Sequence, residues 1–397
     1  MSIDAVTDRR APASAWWVGA AIVLVAANLR PAVVGVAPVL SQIQAAEQLS
    51  ATAAGVLTAL PVLCFGLLAP LAPPLARRVG IERALLTALV LLIVGFLVRS
   101  SGSLAALFVG TALLGTAIAI GNVLLPSLIK RDFAHRTGMM TGLYTMAIAT
   151  GGALAAGVTM PIAHATGLGW RGALALWAAF ALVALIGWLP HVRRAGRPAR
   201  VGNVRVGGLW GDAVAWQVTI YMGLQSLGYF AITAWLPALL VERGYDPVVA
   251  GWLLSLSTVS GIAGATIAPV IATRGPRQRA VAVGITAIAA VGLLGVLAPV
   301  GVELVAVILL GFAQSAALGL ALTLVALRAP DAAHAAQLSG MAQSAGYVLA
   351  AAGPFVMGAL RDLTGGWTVP LVLLIALLAV QGTAGVLAGR DRHVRRS

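Results

Sequence analysis

Arg30 stands about fourteen residues into a long apolar run, with hydrophobic residues on both sides. A guanidinium near the middle of a hydrocarbon layer costs from about 2.5 to well over 10 kcal/mol, depending on how far water and partners relieve it. No acidic residue is placed mid-run to neutralise it. Asp212 and Glu303 fall at predicted helix starts, and the other acids fall in loops or tails. A cation without an internal counter-ion calls for a water-filled cavity and an anionic guest. The alternative is an arginine satisfied by carbonyls and amides between helices. Pro31 follows directly and cannot donate to the Ala27 carbonyl, so the helix should kink beside the guanidinium.

Other polar side chains are placed to share that cavity. A register that aligns Pro38 with Pro237 sets Tyr229 opposite Arg30 and turns its hydroxyl toward the guanidinium. Gln225 and Tyr221 lie one and two turns earlier on the same face. Asn28, Asn122, Tyr144, Gln314 and the i,i+4 pair Gln343 and Tyr347 complete the expected substrate-binding set. Each of these alone is as readily an interhelical bond; converging on one cation, they favour a site.

The rest of the sequence argues against catalysis. His135, His164, His191, His334 and His393 lie at helix ends or in loops without metal-site spacing. There is no GxxxxGK[ST] phosphate loop, and the single Cys64 excludes an internal disulfide. No catalytic residue, metal or cofactor is expected. A missing mid-span carboxylate also removes the usual proton carrier, so any coupling would run through the substrate's charge or through Tyr or His.

The elements that must position these residues follow from composition. The chain is 60% hydrophobic and 10% charged, with a mean hydropathy of +0.97. Soluble domains carry roughly 25% charged residues. Apolar runs near the ~20 residues that cross a bilayer as helix recur throughout, and they must be helical because hydrocarbon offers no partner to a free amide. The predicted spans are 16–40, 51–75, 83–99, 104–129, 137–162, 170–189, 213–240, 247–272, 280–299, 302–327, 337–360 and 367–388: an all-α membrane protein of twelve transmembrane helices. The ten-residue alternation of a β-barrel is absent.

The net charge of +14 reads as topology rather than nucleic-acid binding. Of 26 Lys and Arg, 21 fall on one side of the predicted topology and only Arg99, Arg171, Arg243 and Arg361 on the other. By the positive-inside rule, both termini are then cytoplasmic. The basic loops, with Arg77, Arg78, Arg131, Arg274 and Arg279, are expected to meet lipid headgroups and to close the cytoplasmic gate. The apolar start of the chain outruns the h-region of a signal peptide and reads as an uncleaved first helix.

Residues 191–210 form the one long polar interruption and sit at the midpoint, as a basic linker between bundles 1–190 and 211–397 would. An internal repeat supports the division. Val36-Ala37-Pro38-Val39-Leu40 matches Trp235-Leu236-Pro237-Ala238-Leu239, and Ala54-Gly55-Val56-Leu57 matches Ala250-Gly251-Trp252-Leu253. Two six-helix halves of one orientation are the parallel-repeat plan of a transporter. Predicted helices 3, 6, 9 and 12 are nearly bare of hydrogen-bonding side chains and should face lipid, while helices 1, 4, 7, 10 and 11 should line the cavity. Glycines of helices 5 and 11 allow close approach.

Several stretches carry a specific likeness: Asn28-Leu29-Arg30-Pro31, GNVLLPSLIKRDF at 121–133, GMMTGLYTMAIATGGALAAG at 138–157, AWQVTIYMGLQSLGYFAITAWLP at 215–237 and GFAQSAALGLALTL at 311–324. Through them the chain resembles the cyanate/2-nitroimidazole transporter family of the major facilitator superfamily. The resemblance implies alternating access in a bacterial inner membrane, with a small anionic or compact polar aromatic solute held between two bundles, and a monomer as the working unit. The superfamily motif between helices 2 and 3 is degenerate. Arg77 stands where an Asp is usual, although Gly80 and Arg83 remain. Two rivals are an exporter of drugs or metabolites on the same fold, and a membrane sensor, which would call for a soluble domain larger than any loop here.

Overall fold

The computed structural model describes residues 12–193, 208–275, 277–298 and 301–394. Among these residues there is no strand, and eleven helices are long and apolar enough to cross a membrane. They are span 1 (Trp16–Glu47), span 2 (Ala51–Val79), span 3 (Ile81–Arg99), span 4 (Leu104–Asp132), span 5 (Ala134–Ala165), span 6 (Gly169–Arg193), span 7 (Ala213–Glu242), span 8 (Pro247–Thr273), span 9 (Gln278–Leu297), span 10 (Glu303–Arg328) and span 12 (Thr368–Ala388). The remaining crossing, span 11 (Ala332–Thr364), has 33 helical residues but is less apolar. Gln337, Ser339, Gln343, Ser344 and Tyr347 dilute it, because it packs between other helices rather than against hydrocarbon.

The boundaries that differ most from the sequence reading are those of spans 1, 2, 6 and 11. Span 1 runs to Glu47, span 2 to Val79, span 6 to Arg193, and span 11 covers 332–364. In spans 1 and 2 the prolines do not stop the chain. Pro38 and Pro70 sit in 3-10 turns, Ala37–Val39 and Ala69–Leu71, which pass the helix on. Of the expected linker, residues 194–207 lie outside the described residues.

The expected kink is a break. Helix stops at Ala27 and restarts at Pro31–Val34, and Asn28 and Leu29 turn back to the carbonyls of Val25 and Ala26. Arg30 is the residue at that restart. Two features hold the broken segment from its own side. Arg99, 1% exposed at the end of span 3, donates from Nη1 to the Ala32 carbonyl at 2.8 Å. Gly151 of span 5 lies against Ala27 so closely that a Cβ there would collide with the Ala27 carbonyl oxygen. Gly151→Ala is therefore expected to push the Arg30 segment aside. Overpacking of this kind costs about 1–3 kcal/mol, so the solute KM in a reconstituted flux assay should rise roughly tenfold. An unchanged KM would mean that the break tolerates the shift.

Much of the packing stays within one half of the chain, span 3 against spans 4 and 6, and span 9 against spans 10 and 12. Two further pairs join distant parts of the chain. Span 2 packs against span 11, and span 5 against span 8.

Candidate functional site

A cavity of about 390 Å³ lies among spans 1, 5, 7, 8, 10 and 11. Spans 3, 6, 9 and 12 contribute nothing to its lining, and Arg30 is the one charged side chain among the described residues that does. Its guanidinium carbon stands 5.4 Å from the Tyr229 ring centroid and 5.9 Å from that of Phe230. No carboxylate or hydrogen-bond acceptor of the described residues reaches it. It lies over two π systems and lines the cavity, an arrangement suited to a flat or forked anion.

The aromatic wall continues beyond Arg30. Phe230 meets Phe65 and Tyr347 at 6.1 and 6.4 Å between ring centroids, and Tyr229 packs edge-on to Phe230 at 5.1 Å. Spans 5, 8 and 10 add uncharged polar side chains among apolar ones: Thr141 and Thr145 on span 5, Ser257, Thr258 and Thr266 on span 8, and Gln314 and Ser315 on span 10.

Of the residues expected from sequence, the structure brings Arg30, Gln225, Tyr229, Gln314 and Tyr347 to this cavity. Tyr144 lies near enough to Arg30 to feel its charge but is not part of the lining. Three others sit elsewhere. Asn28 is 1% exposed and donates to the Leu24 carbonyl at 2.8 Å, because the helix break it occupies frees backbone acceptors nearby. Asn122 belongs to span 4, which lines no part of the cavity. Gln343 is turned along its own helix to Ser339 Oγ at 2.8 Å. Tyr229 also meets the guanidinium with its ring, where the register argument offered a hydroxyl. Tyr221 is sealed inside its own half against Gly385.

The hydroxyls of spans 5 and 8 were missed. Their signal was Thr141 and Thr145 one turn apart, and Thr258 and Thr266 two turns apart with Ser257 beside them. Such residues bond readily to their own helix, as Thr258 does to the Leu254 carbonyl at 3.0 Å, so their type alone did not distinguish lining from packing. Gln381 of span 12 was assigned to the lipid-facing set. It is 4% exposed and borders a pocket of about 30 Å³ that it shares with Gln225 and Gln314.

The cavity is open at one end and shut at the other. Toward the ends bearing Arg136 and Arg274, the lining of spans 5 and 8 includes exposed Thr141, Gly142, Thr145 and Thr266. Toward the far ends the same two helices touch. Trp252 Nε1 donates to the Gly157 carbonyl at 3.1 Å, and Gly251 abuts the backbone of Ala156. Spans 2 and 11 close the same end. Asp362 Oδ1 accepts from the Ala51 amide at 3.0 Å, and Oδ2 accepts from the Thr52 amide at 2.7 Å and its hydroxyl at 2.6 Å. The carboxylate thus caps the start of span 2, where it meets the positive end of the helix dipole.

No described ion pair crosses between 12–193 and 208–394. Arg131, expected at a gate, pairs with Glu82 at 2.6 Å and Asp132 at 2.7 Å within its own half. Arg77, Arg78, Arg274 and Arg279 are exposed and make no ion pair among the described residues. With the basic end open, these residues have nothing across the opening to close upon.

Comparison with known proteins agrees with this architecture. Residues 16–354 match the Major Facilitator Superfamily. The chain is 45% identical over 384 residues to the uncharacterized transporter YycB of Bacillus subtilis (strain 168), covering 96% of each chain. It is 41% identical to the 2-nitroimidazole transporter of Escherichia coli (strain K12), covering 95% of this chain and 96% of the relative. It is 31% identical to the cyanate transport protein CynX of the same organism, covering 90% and 94%.

Proposed function

Because the chain belongs to the Major Facilitator Superfamily, and is a multi-pass membrane transporter of solutes rather than an enzyme, we propose that it carries a small anion, or a compact solute with a polarised anionic group, by alternating access. Arg30 carries this reading: a cation at the head of the cavity, stacked on Tyr229 and Phe230, with no acid of its own. Gln225, Gln314 and Tyr347 would orient the solute, with Ser257 and Ser315 also in the lining. A relative that transports cyanate, an anion, and one that transports 2-nitroimidazole, with its polarised nitro group, support this substrate class.

We infer that 1–190 and 211–397 are the two moving bundles. The cross-chain contacts of span 2 with span 11 and of span 5 with span 8 support this, since a parallel repeat exchanges one pair for the other. The basic end is assigned to the cytoplasm of a bacterial inner membrane by the positive-inside rule, which makes the present state inward-facing. The exposed Arg77, Arg78, Arg274 and Arg279 are free to meet headgroups in this state and to approach the other half when the opening shuts. One chain encloses the whole cavity, so a monomer suffices.

A thermal-shift panel tests the substrate class. Cyanate, nitrate, benzoate and 4-nitrobenzoate are to be compared with neutral benzamide on the purified protein. A ligand at a hundred times its Kd stabilises the bound state by about 2.7 kcal/mol, so at least one anion should raise Tm measurably while benzamide does not. Equal stabilisation by benzamide would remove the anion from the reading.

A further inference from the structure

We propose that Arg30 is the charge on which the membrane potential acts in the empty carrier, so that an inside-negative potential drives the anion outward. The proposal rests on the anion-carrier reading above and adds its energetics and direction. Its basis is that Arg30 is the cavity's lone charged lining residue among those described. The titratable groups facing it are Tyr229 and Tyr347, with Tyr144 behind the lining. The polar remainder is amide and hydroxyl. The described carboxylates sit at span ends or in connecting turns, as Glu82, Asp132, Glu242 and Asp362 do. No protonatable acid is therefore at hand in the cavity to cancel the guanidinium as the carrier turns.

Access makes this charge electrically mobile. In the present state Arg30 shares solvent with the basic end, while Asp362 on span 2 and Trp252 on Gly157 shut the other. The transmembrane field therefore falls across that closed end. When access alternates, the closure changes sides, and Arg30 passes from one solution's potential to the other's with little displacement of its own. Arg99 and Arg328, the buried arginines among the described residues, line neither this cavity nor the smaller pocket beside it; each is bonded within one half, to the Ala32 and Ala388 carbonyls, so its access does not switch.

The empty carrier thus moves one positive charge through the field as it reorients. Loaded with a monovalent anion the site is neutral, and that half-cycle is indifferent to voltage. Each full cycle carries one negative charge in the direction of the solute. An inside-negative potential pulls the empty site inward-facing, where it loads from the cytoplasm, and the loaded carrier releases outside. The expected bias is about fiftyfold in the inward-to-outward ratio at 100 mV, the equivalent of about 2.3 kcal/mol per charge.

The test needs no known solute. Cys64→Ser removes the one native thiol, and Thr145→Cys places a reporter at the basic mouth of the cavity. Proteoliposomes carrying this variant receive valinomycin and opposed potassium gradients, and a membrane-impermeant maleimide reads the inward-open population. Labelling is expected to slow when the cytoplasmic side is made positive and to recover when it is negative. Arg30→Gln should lose the response, and Arg30→Lys, which keeps the charge, should retain it. No response in the Arg30 protein, or the same response in Arg30→Gln, overturns the proposal. The two readings separate cleanly in this assay. If cyanate, nitrate and benzoate all leave a robust voltage response unaltered, the anion reading falls and the charge assignment stands. If those anions protect the reporter while voltage does nothing, the charge assignment falls alone.

Discussion

Arg30→Ala is expected to reduce binding of whichever small anion the protein carries by roughly 10²–10³-fold, measured as Kd by calorimetry and as KM in proteoliposome flux. A hydrogen bond to a charged group contributes about 1.5–3 kcal/mol, and a guanidinium offers a carboxylate-like group two of them in one plane. Losing both, in a site where no other charge of the described residues lines the walls, accounts for about 3–4 kcal/mol. Arg30→Lys should fall between. It keeps the charge but loses the fork and the planar face that rests on Tyr229 and Phe230. Transport of an anion by Arg30→Ala at wild-type KM would leave Arg30 with a structural role only.

Gly358→Leu should trap the protein away from the inward-facing state and stop turnover. Gly358 of span 11 sits against span 2 so closely that even a Cβ would collide with the Ala51 carbonyl oxygen, and it would also stand only 2.9 Å from Trp235 Cζ2. Overpacking against mobile side chains costs about 1–3 kcal/mol, and backbone gives way less readily. The closed end is therefore disfavoured by roughly a hundredfold or more. The bundles can relieve the clash by parting at that end, which is the outward-open arrangement, so the protein should stay folded. The check is twofold: flux at least a hundredfold down, and reduced labelling of a cysteine at Thr145 with an unchanged melting profile in detergent. Asp362→Asn addresses the same closure more gently. It keeps the shape, but its amide nitrogen cannot accept from Thr52 as a carboxylate oxygen does. Flux that survives Gly358→Leu would show that spans 2 and 11 need not meet.

Two kinds of residue separate what could be read along the chain from what could not. Arg30 and Pro31 were legible because the cost of a charge in hydrocarbon, and of a missing amide in a helix, attaches to the residue type wherever it falls. Tyr229 was legible because a repeated half puts matching positions at matching depths, Gln225 because it lies one turn from Tyr229 on the same face, and Gln314 because a polar group in an apolar span turns away from lipid. Asn28 and Gln343 misled, since a buried amide takes the nearest acceptor, and each had one within a turn of its own helix. Ser257 and Ser315 gave no such warning, because serine in a membrane helix is as often a packing residue as a lining one.

The sequence by itself determined the class of protein, the crossings and the presence of an arginine inside an apolar span with no acid beside it. All of these follow from transfer free energies that act residue by residue along the chain. Only the tertiary structure decided that the cation faces an aromatic wall and an opening. It also decided that Asp362 closes the far end, and that the basic residues stand apart in this state. Those outcomes turn on which helix faces meet, and contacts such as Gly358 on Ala51 or Gly151 on Ala27 join positions whose separation along the chain carries no periodic signal.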